Sequence, residues 1–418
     1  MAKLQAIRGM HDILMQDTHR WQFTEKTIAH VLKQFGYQEI RLPIVEYTDL
    51  FTRSIGDHTD IVTKEMYCFD DRNESSLTLR PEGTAGCVRA GIEHGLFYNQ
   101  TQRLWYQGPM FRHERPQKGR QRQFHQIGVE AFGFNGPDVD AEMILMCAHL
   151  WQLFGIKLEL EINSLGTTES RNNYRKQLVN YFSKHRNALD KESLIRLENN
   201  PLRILDSKNP DLQSVIQSAP MLSDYLDEES ALHFEELCGV LDSAGIDYKV
   251  NPRLVRGLDY YGKTVFEWIT SELGAQGTVC AGGRYDGLVE LHGARPTPAV
   301  GFAIGMERLI ELINEDIIDN HQAPHIYLII ASETGMQAGL LLADKLRKSN
   351  PDLRVMTHLG AGSIKSQFKK ADKSGAKYAL ILGDEEINNN SISVKDLRGD
   401  QPQQSMNYPE LENFLDKI

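Results

Sequence analysis

Cysteine is scarce in this chain of 418 residues, and its five cysteines stand far apart. They are Cys68, Cys87, Cys147, Cys238 and Cys280. Zinc sites use ligands separated by only a few residues, and disulfide frameworks use an even set of cysteines. The sequence therefore predicts reduced, mostly buried thiols, with no tightly bound metal and no disulfide framework.

Long apolar runs are missing as well. No stretch approaches the ~20 consecutive apolar residues that cross a bilayer, and the first residues lack the apolar core of a secretory signal. Hydrophobic residues make up 41% and charged residues 25%, which is ordinary for soluble globular proteins. We therefore expect a cytoplasmic protein without a membrane partner, large enough for more than one domain.

Positive charge is in deficit, since the net charge is −11, and this value alone argues against a nucleic-acid partner. Residues 112–122 are an exception, because they hold four arginines and one lysine against one glutamate. A local basic loop binds phosphates even when the whole protein is anionic. A solvated surface loop is the simpler alternative, but the strands predicted on both sides weaken it.

Apolar residues recur at helical spacing in three stretches of the first third: 18–36, 81–97 and 138–154. Strand-like runs stand between them: 38–46, 77–80, 103–112 and 123–134. The last two bracket the basic loop and predict an antiparallel hairpin with a long tip. Loops of that length on rigid strands are commonly functional.

The character of the chain changes twice further on. Residues 169–247 are polar and helical, which indicates an inserted helical subdomain. Strand signals then return, followed by one helix: 249–250, 264–269, 278–281, 299–303 and the helix 306–313. A polar linker ends at Pro324, and beyond it strands alternate with helices, which predicts a small, mostly parallel α/β domain over 325–418.

Three distant segments carry residue types suited to a nucleoside triphosphate and an amino acid. Phosphates need fixed cations, for which arginine is well shaped, and an amino group needs acceptors. The segments are Phe111–Glu114 with Arg120–Phe124, then Leu254–Gly262 with Ala281–Leu288, and finally Gly301–Arg308.

The hairpin sequence F-R-H-E and the segment ending in G-M-E-R resemble motifs two and three of the class II aminoacyl-tRNA synthetases. R-G-L-D-Y-Y at 256–261 with A-G-G-R-Y-D-G at 281–287 is similar to the paired histidine-binding signatures of the histidyl-tRNA synthetases, bacterial type. Residues 40–46 resemble motif one, which forms the dimer interface of the class. The resemblance covers essentially the whole chain.

This resemblance implies an α+β catalytic core built on a mostly antiparallel sheet over 1–324, with the helical insertion, and a C-terminal α/β anticodon-binding domain over 325–418. The implied enzyme activates L-histidine with ATP to histidyl-adenylate and transfers histidine to the 3′ end of tRNA-His. The implied partners are tRNA-His, histidine, ATP and a second copy of the chain. Mg²⁺ would accompany ATP or diphosphate.

The resemblance also implies roles for individual residues, with Arg112 and Arg256 catalytic. ATP would be bound by Arg112, Glu114, Arg120, Phe124 and Arg308. Histidine would be bound by Glu82, Gly83, Thr84, Arg112, Gln126, Glu130, Arg256, Tyr260, Tyr261 and Tyr285. Gln117 and Arg120 would meet the acceptor end of the tRNA.

Three alternatives stay open at this point. A synthetase-like regulatory subunit of histidine biosynthesis would resemble the core, but such proteins typically lack the C-terminal domain and several active-site residues. A class II enzyme for threonine, proline or glycine would require setting aside both histidine signatures. A pure nucleic-acid-binding module would leave the joint presence of phosphate-binding and amino-acid-binding motifs unexplained.

Overall fold

A computed structural model of the chain describes residues 3–56, 59–117, 119–205, 207, 209–274, 277–318, 323–332, 335–360 and 362–417. The chain divides into two compact units, Met1–Ile318 and Asp319–Ile418. Across the described residues, no helix has both the length and the apolar character needed to span a bilayer.

The strands of the first unit are short at its edges and long at its centre. They are β1 (Gln38–Glu39), β2 (Val45–Tyr47), β3 (Tyr67–Asp70), β4 (Ser76–Leu79), β5 (Gln102–Phe111), β6 (Gln123–Phe132), β7 (Glu159–Ser164), β8 (Lys249–Val250), β9 (Gly262–Ile269), β10 (Thr278–Arg284) and β11 (Ala299–Gly305). Within the described part of the chain, eight of them form the main sheet in the order β1-β5-β6-β11-β10-β9-β7-β8. Pairing is antiparallel from β5 to β7 and parallel only at the two edges, which confirms the mostly antiparallel sheet.

The helices of the first unit cover both faces of this sheet. They are α1 (Thr18–Gln34), α2 (Thr48–Ile55), α3 (Thr84–Glu93), α4 (Pro137–Leu153), α5 (Thr168–Lys184), α6 (Lys191–Asn199), α7 (Gln213–Gln217), α8 (Glu228–Ser243), α9 (Leu288–Leu291) and α10 (Met306–Leu312). α1, α4, α8 and α10 bury their apolar sides on one face, against residues such as Ile127 and Val129 of β6. Because side chains alternate along a strand, Gly128 and Glu130 point to the other face.

The strand predicted over 38–46 is wrong as a single element. It divides into β1, which pairs with β5 in the main sheet, and β2, which pairs with β4 in a separate three-stranded sheet. Pro43 has no backbone N–H to continue a ladder. Between the two strands the buried Arg80 donates instead to the carbonyl oxygens of Leu42 and Pro43, at 3.2 and 3.4 Å.

The helical stretch 169–247 begins its longer helices at good N-cap residues: Thr167, Asp190 and Asp227 each accept from a backbone N–H of the first turn. Helices α5, α6 and α7, with the 3₁₀ turns between them, share one apolar core, and we call residues 168–225 the helical insert. Helix α8 belongs elsewhere, because Leu237 and Leu241 pack with α4 in the core of the main sheet.

The second unit alternates strands and helices: β12 (Ile326–Ile330), α11 (Met336–Ser349), β13 (Val355–Thr357), α12 (Ile364–Lys373), β14 (Tyr378–Leu382), α13 (Asp384–Asn388), β15 (Ser391–Asp396), β16 (Gln404–Asn407) and α14 (Tyr408–Leu415). Its sheet has the order β13-β12-β14-β15-β16. The first three strands are parallel, but β15 and β16 are antiparallel. The expected mostly parallel sheet is therefore a mixed one, because two short connections, the first of which contains α13, bring each strand back antiparallel to the one before it.

Candidate active site

A cleft opens over the face of the main sheet that carries Gly128 and Glu130. Its empty volume is about 1200 Å³, part of it open to solvent. Twelve residues singled out in the sequence line it: Glu82, Gly83, Thr84, Arg112, Glu114, Arg120, Phe124, Gln126, Arg256, Tyr260, Tyr261 and Arg308. Segments far apart in the chain therefore meet at one site.

Three arginines stand around this cleft on different elements. Arg112 follows β5, donates from Nε to the carbonyl of Pro81 at 2.9 Å, and places its guanidinium carbon 5.3 Å from the ring centre of Phe124. Arg308, on α10, donates from Nη1 to the carbonyl of Thr278 at 2.6 Å. Burial lowers the pKa of Arg308 from its ordinary value, and neighbouring Arg120 lowers it further. Such fixed cations suit an anionic ligand.

Arg256 lies in a loop just before β9. Its Nη1 donates to the carboxylate of Glu267, and its guanidinium carbon is 5.5 Å from the ring centre of Tyr261. Glu267 also accepts from the hydroxyl of Thr278 at 3.1 Å, which fixes the carboxylate from a second side. Burial acts to lower the pKa of Arg256, but Glu267, Tyr261 and Tyr260 together outweigh it, and the pKa is raised.

The tip of the β5–β6 hairpin folds back toward the cleft. Gln117 and Arg120 form an isolated antiparallel bridge, with N···O distances of 3.0 and 2.9 Å. Arg120 pairs with Glu114 at 2.7 Å, and Arg308 donates to the carbonyl of Gly119 at 2.9 Å. Gln117 is exposed and does not line the cleft. The lysine of the tip, Lys118, is outside the described residues.

Glu130 is buried behind the wall of the cleft, where it accepts three hydroxyl groups. Thr84 and Tyr106 both donate to its Oε1 at 2.8 Å, and Tyr285 donates to Oε2. Burial raises the pKa of Glu130 to about 8, although the three hydrogen bonds act in the opposite direction. Nearby Glu82 adds to the rise. The site therefore holds a carboxylate whose charge changes close to neutral pH.

Glycines create the space that this carboxylate and its partners fill. A Cβ atom at Gly301, which pairs with Glu130 across β6 and β11, would lie 1.8 Å from Oε2 of Glu130. The ring of Tyr106 lies between Gly83 and Gly128, where a Cβ would come within 2.0 and 2.2 Å of ring carbons. Any larger residue at these positions would displace the ring or the carboxylate.

Glu82 stands at the start of α3 and determines where that helix begins. Its two carboxylate oxygens accept from the backbone N–H groups of Thr84 and Ala85 at 2.6 and 3.0 Å. Burial raises the pKa of Glu82. The predicted helix over 81–97 therefore begins three residues late, at Thr84, because the side chain of Glu82 satisfies N–H groups of the first turn.

Three tyrosines make an aromatic corner beside Glu130. The ring centre of Tyr260 is 4.7 Å from that of Tyr261 and 5.6 Å from that of Tyr285. Neither Tyr285 nor Glu130, to which it donates, lines the cleft. Arg284, the last residue of β10, is fully buried and bonded to Asp140 at 2.8 Å, which anchors the chain directly before Tyr285.

Sequence reasoning missed three residues of the site. Tyr106 lies in a hydrophobic run of β5, where the sequence does not distinguish it from an ordinary core aromatic residue. Glu267 did carry a signal, because it is a charge inside the apolar strand Val265–Ile269. Glu307 lines the cleft and accepts from the backbone N–H and ring Nδ1 of His125, at 3.0 and 2.9 Å.

Comparison with known proteins agrees with this geometry. The profile of the histidyl-tRNA synthetase family matches residues 9–309, and that of the anticodon binding domain matches 325–418. A histidine–tRNA ligase from Hydrogenovibrio crunogenus is 55% identical over 415 residues, covering 99% of this chain and 97% of that protein.

Solved structures show the same likeness. The apo histidyl-tRNA synthetase of S. aureus has a TM-score of 0.82 at 35% identity, covering 99% of both chains. An ATP phosphoribosyltransferase regulatory subunit/histidyl-tRNA synthetase from Bacillus halodurans, at 21% identity, has a TM-score of 0.65 over 92% of this chain and 99% of that one, which shows the fold alone. From the family match and the full-length relative together, the chain belongs to the histidyl-tRNA synthetase family, the ligases that join histidine to its tRNA.

Proposed function

We propose that histidine and ATP react in this cleft, with Arg112, Arg256 and Arg308 around the phosphates and Glu130 beside the imidazole. The observation that carries the proposal is the meeting of three guanidinium groups from distant segments with a buried carboxylate and its tyrosines. Fixed charges in a partly enclosed site stabilise developing charge without reorganising at the moment of reaction.

The imidazole of histidine fits the Glu130 corner. A neutral imidazole presents one donor and one acceptor. Glu130 accepts the ring N–H, and the phenol of Tyr261 donates to the other ring nitrogen. Tyr260 lines the cleft beside them, and Tyr285 acts from behind it by donating to Glu130. The substrate ammonium group is received by acceptors that line the same cleft: Glu82, Thr84 and Gln126. Gly83 serves the pocket indirectly, because the ring of Tyr106, a partner of Glu130, occupies the space that a side chain at Gly83 would fill.

ATP occupies the side of the cleft formed by the hairpin and α10. Glu114 accepts from the adenine amino group, and Phe124 stacks on the ring, with Arg112 over the opposite edge of Phe124. Arg112 also grips the α-phosphate and the substrate carboxylate. Arg308, with Arg120, holds the γ-phosphate from the other wall.

In the first step a carboxylate oxygen of histidine attacks the α-phosphorus, and the bond to the diphosphate oxygen breaks. Arg256 and Arg112 stabilise the negative charge that builds on the α-phosphate oxygens. In the second step the terminal ribose hydroxyl of the tRNA attacks the adenylate carbonyl, the bond from the carbonyl carbon to the phosphate oxygen breaks, and AMP leaves. The proton of the hydroxyl passes to a phosphate oxygen of the departing AMP, since no side chain is assigned as a dedicated base.

Mg²⁺ would accompany ATP and would be held mainly by its phosphate oxygens. The carboxylates nearest the arginines, Glu114, Glu267 and Glu307, already have protein partners. Among the described residues, no group of three or more acidic, histidine or cysteine side chains has the arrangement of a metal site. A Mg²⁺ ion bound through the substrate fits this donor set, because Mg²⁺ typically keeps waters and substrate phosphates as ligands.

The tRNA contacts the chain at two places. Gln117 and Arg120 at the hairpin tip meet the acceptor end, and the domain over 325–418 binds the anticodon. Two copies associate through the motif-one region, where Val45, Tyr47 and Phe69 expose apolar surface. The protein works in the cytoplasm, where its tRNA is charged.

Replacing Arg256 by alanine tests the central assignment. Loss of a fixed charge of this kind costs about 3–4 kcal/mol, so histidine-dependent exchange of diphosphate into ATP should slow about a thousandfold. Histidine affinity, measured by equilibrium dialysis, should change little. The matched control is Arg186→Ala, because Arg186 pairs with Glu198 on the surface of the helical insert. Near-normal exchange in Arg256→Ala would refute the role.

A further inference from the structure

Asp259 belongs to the signature R-G-L-D-Y-Y, yet it has no place in the cleft. Gly257, Leu258 and Tyr260 on either side of it line the cleft, whereas Asp259 does not. It points instead toward the helical insert and toward the segment after α2. A charged residue between two cleft residues, directed away from the substrates, calls for a physical explanation.

The helical insert contacts the loop that contains Asp259 at two residues, Asp259 itself and Gly257. The amide of Asn200 donates to Oδ1 of Asp259 at 3.0 Å, and Nη2 of Arg203 lies 3.6 Å from the same oxygen. Arg203 also donates from Nη2 to the carbonyl of Gly257 at 2.6 Å. Gly257 directly follows Arg256, so one side chain of the insert is bonded to the residue next to the proposed catalytic arginine.

A third segment, the end of α2 with Gly56 after it, also contacts Asp259. The backbone N–H of Asp259 donates to the carbonyl of Ile55 at 3.2 Å. Gly56 has a φ of 100°, and a Cβ there would lie 2.5 Å from Oδ2 of Asp259, so the carboxylate packs directly on this glycine. A little further along, Ile61 lines the cleft.

The loop needs such support because it has no regular secondary structure. Residues 254–261 form neither helix nor strand. The loop is fixed at its start, where Asn163 donates to the carbonyl of Leu254 at 3.0 Å, and at its end, where β9 begins at Gly262. Between these points its backbone conformation depends on tertiary hydrogen bonds.

We propose that Asp259, Asn200 and Arg203 form a latch through which the helical insert positions Arg256 for adenylate formation. The proposal rests on the role assigned to Arg256 above. These three are positioning residues, since none of them touches the cleft. A displacement of about 1 Å at a reacting group slows a reaction by as much as a hundredfold, which makes a remote latch kinetically important. The position of the insert and the rate of activation are thereby linked.

Diphosphate exchange in the full-length enzyme tests the latch. Asp259→Ala and Arg203→Ala should each lower kcat by about tenfold or more, with KM for histidine and for ATP changed by less than about threefold. Asp259→Asn keeps an oxygen that accepts from Asn200 and should retain kcat within about threefold of the parent. Arg186→Ala, whose pair with Glu198 also spans 3.6 Å but stays within the insert, should leave kcat unchanged.

A double variant separates the latch from a general loss of structure. If the latch acts through Arg256, adding Asp259→Ala to Arg256→Ala should lower kcat no further than Arg256→Ala alone. Multiplicative losses in the double variant, or a kcat for Asp259→Ala within twofold of the parent, would overturn the proposal. A normal kcat in Arg256→Ala itself would instead refute the proposed function of the cleft, so the two failures are distinguishable.

Discussion

At the scale of single residues, Glu130 shows how burial and hydrogen bonding oppose each other. Removing the carboxylate from water favours its neutral form, while the hydroxyls of Thr84, Tyr106 and Tyr285 favour the charged form. Burial is the larger effect, and the pKa lies at about 8. At pH 7 the unliganded site therefore contains a large neutral fraction, which cannot accept the imidazole N–H in the same way.

This pKa predicts a pH profile. Because the proposed role needs ionised Glu130 to accept from the substrate, kcat/KM for histidine should fall as the pH drops below about 8. Glu130→Gln keeps the size of the side chain but cannot ionise, so this limb should disappear and only the titration of the substrate should remain. Identical profiles between pH 6.5 and 9 for both enzymes would contradict the assignment.

The same pKa predicts a stability effect of opposite sense. A carboxyl group whose pKa is raised in the folded state is harder to ionise there than in the unfolded chain. Its contribution to stability is therefore lost as the pH rises from the unfolded pKa of about 4.3 to the folded pKa of about 8. The unfolding temperature of Glu130→Gln should therefore rise relative to that of the parent as the pH increases across this window. A constant difference between the two proteins would count against the raised pKa.

The residues that were predictable are those whose chemistry is visible in the sequence. Arg112 and Arg308 lie in short motifs with distinctive neighbours, and both line the cleft. Tyr106 was not predictable, because its partner Glu130 is remote in sequence and comes into contact only when β5 and β6 pair. Glu267 was overlooked although a lone charge in an apolar strand is a usable signal.

At the scale of elements, the β5–β6 hairpin carries both the phosphate site and the proposed tRNA contact. The hairpin supplies Arg112, directly after β5, and Phe124, in β6, to the cleft. Its tip is fixed by the hydrogen bond that Arg308 donates to the carbonyl of Gly119. The exposed Gln117 lies beyond that bond. In the proposed mechanism, activation and transfer therefore use different parts of this one hairpin.

Gln117→Ala should separate the two steps. Loss of one hydrogen bond to the acceptor end costs about 1 kcal/mol, so kcat/KM for tRNA in aminoacylation should fall about fivefold. Diphosphate exchange should stay within about twofold, since Gln117 does not line the cleft. Gln100→Ala is the control, because Gln100 is equally exposed in a different loop. Equal losses in both assays would show that Gln117 supports the cleft instead.

Elements were predicted well where a single pattern dominates. The periodic patterns that predict α4 and the β5–β6 hairpin extend over many residues. These elements begin and end within one or two residues of the predicted bounds. The prediction of one strand over 38–46 was wrong because an alternation of apolar and polar residues does not indicate which sheet a strand joins. The prediction for the sheet of the second unit was wrong for a related reason, since β15 and β16 return by short connections, the first containing α13, that alternation alone does not distinguish from crossovers.

At the scale of the whole molecule, the full-length match to a histidine–tRNA ligase sets aside the alternatives of a regulatory subunit and of an enzyme for another amino acid. The second unit matches the anticodon binding domain over 325–418. The small sheet β2-β4-β3 exposes apolar residues, and this is the surface that we assign to the second copy. We expect the working enzyme to be a dimer through that surface.

Charging this surface should break the dimer. Tyr47→Asp places a carboxylate in the proposed interface, so sedimentation equilibrium should show a monomer at micromolar concentration where the parent is a dimer. Tyr47 is 64% exposed, and the control Ile195→Asp changes a residue that is 62% exposed on the helical insert. A dimer in both variants would place the interface elsewhere.

Gly301 has a consequence for how the enzyme distinguishes amino acids. The hydrogen at this position stands where any other residue would put a carbon 1.8 Å from the carboxylate of Glu130. Its φ is not in the left-handed region, so close approach, and not backbone conformation, requires glycine there. The same carbon would lie 2.6 Å from the backbone carbonyl oxygen of Val129, so an alanine would strain the pairing of β11 with β6 as well as displace the acidic group. With Glu130 in its proposed role beside the imidazole, discrimination in favour of histidine depends on one methyl group being missing from the polypeptide.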